Sequence, residues 1–262
     1  MRILFLGNNR LASTVARWLA GRDEEIVGAV VHPPERASHR DEILEACGLA
    51  GDAVIDASRL EDPRTLGLIQ DLRPEVGVSI LFGYILRKPM LDLLSAGCIN
   101  LHPSFLPYNR GAHPNVWSII DGTPAGASLH HIDESVDTGD IVAQTPVEVE
   151  PVDTGKTLHH KCEVAAFELF QRTWPQIVDG TAPRRPQDPT QGTAHRVRDM
   201  AAVERIDLDW SYTGRELIDR LRALTFSSFD NAYFEHQGRR VYLRLELYYG
   251  DDEPSGDSPQ ER

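Results

Sequence analysis

The sequence predicts an α/β protein: a Rossmann-like, doubly wound and mostly parallel sheet, followed by a small helix-plus-β-hairpin unit. Three observations carry that prediction. Short apolar runs alternate with amphipathic stretches from Arg2 to Leu101, as a parallel sheet covered on both faces requires. A polar stretch with three prolines, "TAPRRPQDPTQG", then interrupts the pattern. Beyond it come one capped amphipathic stretch and two strand-like runs joined near Gly238.

"RILFLG" at residues 2–7 reads as a buried first strand, and "LASTVARWLAGRD" as a helix with Leu11, Val15, Trp18 and Leu19 on one face and Gly21 as its stop. "EIVGAVV" from Glu25 is the second strand, "DEILEACG" a helix ending at Gly48, and "AVID" a brief third strand. "DPRTLGLIQDL" follows as a helix with Pro63 near its start, where a missing N–H costs nothing. "VGVSIL" at residues 76–81 is a strand, "KPMLDLLSAG" a helix and "CINL" a further strand. Residues 114–120 read as a helix, and "AGASLHHID" and "IVAQTPVEV" as two strands parted by the acidic loop "ESVDTGD". A long amphipathic helix runs from "DTGKT" to Gly180. In the last unit, Thr213 and Glu216 form a capping box ahead of an apolar stripe at Leu217, Ile218, Leu221 and Leu224. The expected boundaries are a main domain over 1–182, a linker over 183–194, a small α+β unit over 195–250 and a disordered acidic tail over 251–262.

Composition excludes several classes. A chain of 262 residues with 41% hydrophobic content can bury a sizeable core. No apolar run approaches the roughly 20 residues of a membrane span, and "MRILFLGNN" has no cleavage-site pattern. Cys47, Cys98 and Cys162 are far apart and odd in number, which suits packed thiols in a reducing cytoplasm rather than disulfides. The net charge is −13; the last twelve residues carry five acids and one arginine, which leaves −9 on the rest. Such a body repels a phosphate backbone and argues against a nucleic-acid footprint, yet a few arginines in a cleft suffice for a small anion.

A first strand, a glycine and a helix invite a dinucleotide reading. The residues after Gly7 are Asn8, Asn9, Arg10, Leu11 and Ala12, so the second glycine of G-x-G-x-x-G is missing. No NAD is expected. His131 and the pair His159–His160 lack spaced partners of ligand type, and no metal is expected either.

The chemistry concentrates in "INLHPSFLPYNRGAHPNVW". Asn100 and His102 are two apart, so on a strand they face one side, and Pro103 ends that strand. Alone, the pair reads as a satisfied structural cluster. Asp137, in "ESVDTGD", completes a set that acyl transfer to an amine needs: an oxyanion donor, a group titrating near neutrality and an orienting carboxylate.

Asn100-x-His102 followed by the aspartate of "VDTG" resembles the folate-dependent formyltransferases, and most closely their nucleotide-sugar N-formyltransferase branch. The resemblance spans residues 1–150. It implies catalytic Asn100, His102 and Asp137 and the formyl donor 10-formyltetrahydrofolate. It places "SILFGYILRKPMLDLL" along the pterin, with Phe82, Gly83, Tyr84, Ile85 and Leu86 on one side and His130, Ile132 and Asp133 on the other. "HPSFLPYNRGAHPNVWSI" and "LRALTFSSFDNAYF" resemble the acceptor-binding segments of the sugar enzymes, which implies roles for Asn109, Arg110, His113, Asn115, Trp117, Phe226, Phe229 and Tyr233. Phe226, Phe229 and Tyr233 read equally well as base-stacking aromatics or as core, and Ser227–Ser228 stands where prolines are expected. A homodimer through the C-terminal hairpin is a further expectation. Other acceptors (methionyl-tRNA or a small amine), hydrolysis of the donor, and a silent folate- or nucleotide-binding module are the competing readings.

Overall fold

The computed structural model describes residues 1–226 and 231–251. Phe229, Ser227–Ser228 and the tail from residue 252 onward lie outside the described residues. In chain order the strands of the main sheet are β1 (Arg2–Gly7), β2 (Glu25–Val31), β3 (Val54–Asp56), β4 (Val76–Ile80), β5 (Cys98–His102), β7 (Ala125–His131) and β8 (Ile141–Val147). Their spatial order is β3-β2-β1-β4-β5-β7-β8. The first five are parallel, while β7 is antiparallel to β5 and β8 to β7. The winding direction reverses between β1 and β4.

Every residue of β4 is buried, which explains its unbroken small and apolar composition. One face is covered by α1 (Arg10–Ala20), α2 (Arg40–Cys47) and the long α6 (Gly155–Val178), where Phe5, Phe170 and Trp174 are fully buried. Each such side chain contributes roughly 1.5–3 kcal/mol. The other face is covered by α3 (Pro63–Leu72) and the segment through α4 (Lys88–Leu91), with Leu4, Leu6, Ile69 and Met90 between them. The helix expected from residue 88 is a single turn. Bonds from Leu93 N to Met90 O and from Leu94 N to Leu91 O tighten the chain toward Gly97, whose φ is +79°. No helix among the described residues is long and apolar enough to cross a membrane.

The first turn is filled by protein. Asn9 caps α1 through Ala12 N at 2.9 Å, and Asn8 accepts from Ser38 N at 2.9 Å. A Cβ on Gly7 would lie 2.6 Å from the Ala12 Cβ, so this glycine serves helix-on-strand packing.

The stretch expected to be a linker is hydrogen-bonded into the main domain. Arg185 and Ile141 exchange both backbone bonds, at 2.8 and 3.0 Å. Further on, β9 (Ala194–His195) pairs in parallel with β6 (Arg110–Gly111). Proline and polar composition mark an extended path correctly, but not the surface it lies against.

The C-terminal unit contains α7 (Ala201–Glu204), α8 (Gly214–Ala223) and a hairpin of β10 (Tyr233–His236) and β11 (Arg239–Tyr242). The Thr213–Glu216 capping box is formed, with Glu216 N donating to Thr213 Oγ1 at 3.2 Å and Thr213 N to Glu216 Oε2 at 2.8 Å. Gln237 and Gly238 both have positive φ, as a two-residue hairpin turn demands. Leu224 joins a core shared with α5 (Pro114–Ile120) and α6, and Leu217 and Leu221 pack on it. Ile218, expected in the stripe, is 47% exposed instead. Arg222 ties the unit to the main domain by donating to the carbonyls of Glu150 and Asp153 at 3.1 and 2.8 Å.

Candidate active site

A cleft of about 960 Å³ opens at the carboxyl ends of β4 and β5. Asn100, His102 and Asp137 all line it. The first two lie on one side of β5, as their spacing requires. The β5–β7 register sets Asn100 opposite His130, so His130 faces the same side.

The four groups form one network. Asn100 Nδ2 lies 3.1 Å from His130 Nε2 and donates to Asp137 Oδ1 at 3.4 Å. Asp137 Oδ2 accepts from Gly111 N at 2.9 Å and sits 3.6 Å from His102 Nε2. His130 Nε2 is 3.5 Å from Asp137 Oδ1, and His130 Nδ1 bonds the His131 carbonyl at 2.8 Å. Because a carbonyl only accepts, that last contact puts the proton on Nδ1 and leaves Nε2 to accept from Asn100. The sequence reading placed His130 on the cofactor side only; its contact with the catalytic set needs the β5–β7 pairing, for which no local motif exists.

Protonation follows from burial. His102 is pushed below the ordinary imidazole range, first by desolvation and further by His130, while Asp137 and a bond to the Asn109 backbone pull the other way. Nε2 of His102 is buried and has no hydrogen-bond partner among the described residues. Burial opposes charge on Asp137, but the Gly111 amide and the positive charge that His102 and His130 carry when protonated outweigh it and hold the carboxyl well below the usual carboxylate range. The site therefore presents a neutral imidazole lone pair beside a fixed carboxylate.

The remaining predicted residues divide. Phe82, Gly83, Tyr84, Ile85 and Leu86 line one wall of the cleft. Phe82 and Tyr84 pack edge-on against His32, with ring centroids 5.4 and 4.8 Å away. Ile132 and Asp133 line the cleft as well, Ile132 packed against the cluster that contains Phe82 and Leu86. Asp133 shapes that loop by accepting from Ser135 N at 2.9 Å and from Thr138 Oγ1 at 2.8 Å. His113, Asn115 and Phe226 also line the cleft; Asn115 is held by its bond to the Gly155 carbonyl at 2.8 Å.

Four predicted acceptor residues are not in the lining. Asn109 is fully buried and scaffolds its own segment, donating to Ser118 Oγ at 2.9 Å and Thr123 Oγ1 at 2.8 Å and accepting from Thr193 Oγ1 at 2.8 Å. Trp117 stacks on the His195 ring at 4.0 Å and presents its neighbour, not itself, to the cleft. Arg110 lies in β6 with its Nε buried and without a hydrogen-bond partner among the described residues. Tyr233 belongs to the hairpin, 5.8 Å from Tyr242 and under the Arg240 guanidinium at 4.4 Å. For Asn109, Trp117 and Tyr233 a neighbour absent from any local pattern claimed the side chain. Phe229 lies outside the described residues. Conversely, His195, Arg196, Met200 and Glu204 line the cleft from the stretch after the prolines, where no motif pointed to them.

A sequence profile of the family described as "Formyl transferase" matches residues 2–173, which contain Asn100, His102, His130 and Asp137. The chain belongs to the formyl transferase family. A second profile, for an N-formyltransferase dimerization C-terminal domain, matches residues 199–249 of this formyltransferase. Methionyl-tRNA formyltransferase of Bacillus subtilis (strain 168) is 33% identical over 231 residues, covering 85% of this chain and 71% of its own. A 4-N formyltransferase from Francisella tularensis superposes with a TM-score of 0.80 at 28% identity, covering 95% of this chain and 98% of its own. The formyltransferase PseJ from Anoxybacillus kamchatkensis, solved with UDP-4,6-dideoxy-4-formamido-L-AltNAc and tetrahydrofolate, reaches 0.57 at 26% identity over 77% of this chain and 89% of its own. A formyltransferase needs a proton acceptor and an oxyanion donor on one carbonyl, and His102 and Asn100 line the same cleft.

Proposed function

We propose that this formyltransferase moves the formyl group of 10-formyltetrahydrofolate to the amino group of a nucleotide-linked amino sugar, of the dTDP-amino-dideoxyhexose type. The observation that carries the transfer is the unpartnered His102 Nε2 facing the ionised Asp137 across 3.6 Å, with Asn100 alongside. With no proton between them, Nε2 is free to take one up during the reaction, and the carboxylate stabilises the imidazolium that results. The neutral acceptor amine attacks the formyl carbon, and the carbonyl electrons move to oxygen. Asn100 exchanges its long contact with Asp137, 3.4 Å, for a shorter bond to that oxyanion, an effect worth roughly 3–4 kcal/mol. His102 takes the proton from the amine nitrogen and becomes an imidazolium that Asp137 stabilises. The same proton passes to the departing folate nitrogen as its bond to carbon breaks. Phe82–Leu86 and the loop carrying Ile132 and Asp133 flank the space suited to a flat heterocycle.

Three observations support the sugar acceptor. The net charge of −13 disfavours tRNA. Residues 199–249 match an N-formyltransferase dimerization domain. The PseJ structure holds a nucleotide-linked formamido sugar beside tetrahydrofolate. The exposed apolar side chains of the C-terminal unit, Val241, Tyr242, Tyr248 and Tyr249, support a homodimer through that unit. Three free thiols support a reducing cytoplasmic location. One specific observation favours a second reading, in which methionyl-tRNA is the acceptor: the 33% identity to a methionyl-tRNA formyltransferase.

Incubation with 10-formyltetrahydrofolate and, separately, a panel of dTDP- and UDP-amino sugars, methionyl-tRNA and no acceptor decides between them. Release of tetrahydrofolate coupled to a 28 Da gain on a sugar nucleotide (about the mass of CO added for H-to-CHO exchange, on the atom balance of acyl transfer) is the expected result. Formylation of methionyl-tRNA alone overturns the sugar reading, and folate release without acceptor indicates a hydrolase.

A further inference from the structure

Gln187 lies in the polar stretch between the main domain and the C-terminal unit and takes no part in the network described so far. Its Nε2 donates to the backbone carbonyls of Asp137 and Gly139, at 2.9 and 2.8 Å. Both N–H bonds of one amide thus span the Asp137–Gly139 turn. The orientation of the amide follows from the partners: turned over, its oxygen would face two carbonyl oxygens. The turn needs holding. Asp137 has φ +55°, a left-handed conformation that non-glycine residues adopt uncommonly, aspartate more readily than most, and that the two Gln187 bonds hold in place. The close approach of Gly139 to the His131 carbonyl, 2.0 Å from where a Cβ would stand, leaves the turn little room to relax.

Gln187 is itself placed by backbone. The Arg185–Ile141 bridge lies two residues away, and extended chain returns residue 187 to the same side as residue 185. The same stretch reaches the catalytic carboxylate a second way. Ala194–His195 pairs with Arg110–Gly111, and Ala112 N donates to the His195 carbonyl at 2.9 Å. That pairing fixes the Gly111 N–H that binds Asp137 Oδ2.

We infer that Gln187 is a positioning residue for Asp137: the stretch running to His195 straps the catalytic loop in its strained conformation and so aims the carboxylate at His102. The inference rests on the transferase reading for its kinetic consequence, but not for its structural one. Loss of the two donors lets the Asp137 backbone relax, and a displacement of about 1 Å at a reacting group costs on the order of a hundredfold in rate.

The test compares the full chain with Gln187→Met, which keeps length and bulk without donors, and Gln187→Glu, which sets a carboxylate oxygen against the carbonyls. Where wild-type protein releases tetrahydrofolate from 10-formyltetrahydrofolate in the presence of an accepted amine, both variants are expected to lose tenfold or more in kcat, with KM for either substrate within threefold and an unchanged melting temperature. Independently of turnover, nitrogen-15 NMR titration of the His102 ring in unliganded protein reads the same geometry. With Asp137 displaced, the imidazolium loses its counter-charge, and His102 titrates at lower pH in Gln187→Met than in wild type; His130 and the Gly111 amide are the other groups facing Asp137. An unchanged His102 titration overturns the inference even if the transferase reading fails. So does a kcat within twofold of wild type, or a rate loss matched by global destabilisation.

Discussion

The Asp137 carboxylate faces the His102 ring nitrogen across 3.6 Å while its second contact, the Gly111 N–H at 2.9 Å, comes from a two-residue strand far from either in function. One oxygen, Oδ2, serves both. The ring's charge state and the backbone's path are thereby coupled at one atom, and the predictions below separate these contributions.

His102→Ala and Asp137→Asn are each expected to lower kcat by about 10²–10⁴, and Asn100→Ala by about 10²–10³. Turnover followed by folate absorbance and product mass checks the first quantity; a thermal melt checks that the fold survives. Since burial holds His102 below its ordinary range, the acid limb of kcat/KM should fall below pH 6.5. Variants that keep turnover within tenfold of wild type would remove these residues from the mechanism.

Gly111→Ala should damage the site through the backbone alone. Gly111 has φ +89°, and an added Cβ would stand 2.3 Å from the His195 carbonyl oxygen, which is backbone and cannot swing aside. We expect kcat to fall at least tenfold (the order of magnitude of a sub-ångström to 1 Å shift), accompanied by a lower melting temperature. A variant with wild-type rate and Tm would show that β6 and β9 are not coupled to Asp137.

Asn109→Ala distinguishes scaffold from substrate pocket. It removes two amide donors and one acceptor at a fully buried position, leaving Ser118, Thr123 and Thr193 short of partners. The expected cost is about 2–4 kcal/mol of stability by chemical denaturation, with the acceptor KM of the folded fraction unchanged. A raised acceptor KM with unaltered stability would return Asn109 to the pocket.

Stability should fall as the solution is acidified below pH 6.5. His32, His102, His113 and His131 are all pushed below that value, burial being the first cause in each, and His131 reaches about 4. Above 6.5 native and unfolded chains both hold them neutral and no difference arises. Below it the unfolded chain binds protons that the native state refuses, so stability is lost as pH drops toward each native pKa. The slope is at most about 1.4 kcal/mol per pH unit for each histidine. Melting temperatures at pH 7.5, 6 and 5 check the trend, and His131→Asn should flatten it between 6 and 5.

Much of this was legible before any coordinates. The alternation of apolar runs gave the parallel half of the sheet, and the two-residue spacing of Asn100 and His102 put them on one side of β5. The Phe82–Leu86 segment and the Ile132–Asp137 loop were placed on opposite walls by resemblance, and both do line the cleft. The acceptor side read less well. Trp117 and Tyr233 carry the composition of a binding surface, yet Trp117 stacks on His195 and Tyr233 on its own hairpin. An aromatic side chain looks the same in a sequence whether a base or a neighbouring ring covers it.

Local patterns, whose information lies within a turn or a strand of each residue, determined the elements and the caps, and the family resemblance supplied the candidate reacting groups. Only the tertiary structure decided which groups share an atom with Asp137. His130 reaches it through the antiparallel β5–β7 register, Gly111 through the β6–β9 pairing, and Gln187 through the bridge at Arg185. The contacts of Gly111 and Gln187 with Asp137 join residues 26 and 50 positions apart. They arise from backbone hydrogen bonding, which every residue but proline offers alike and which therefore leaves no signature in side-chain chemistry.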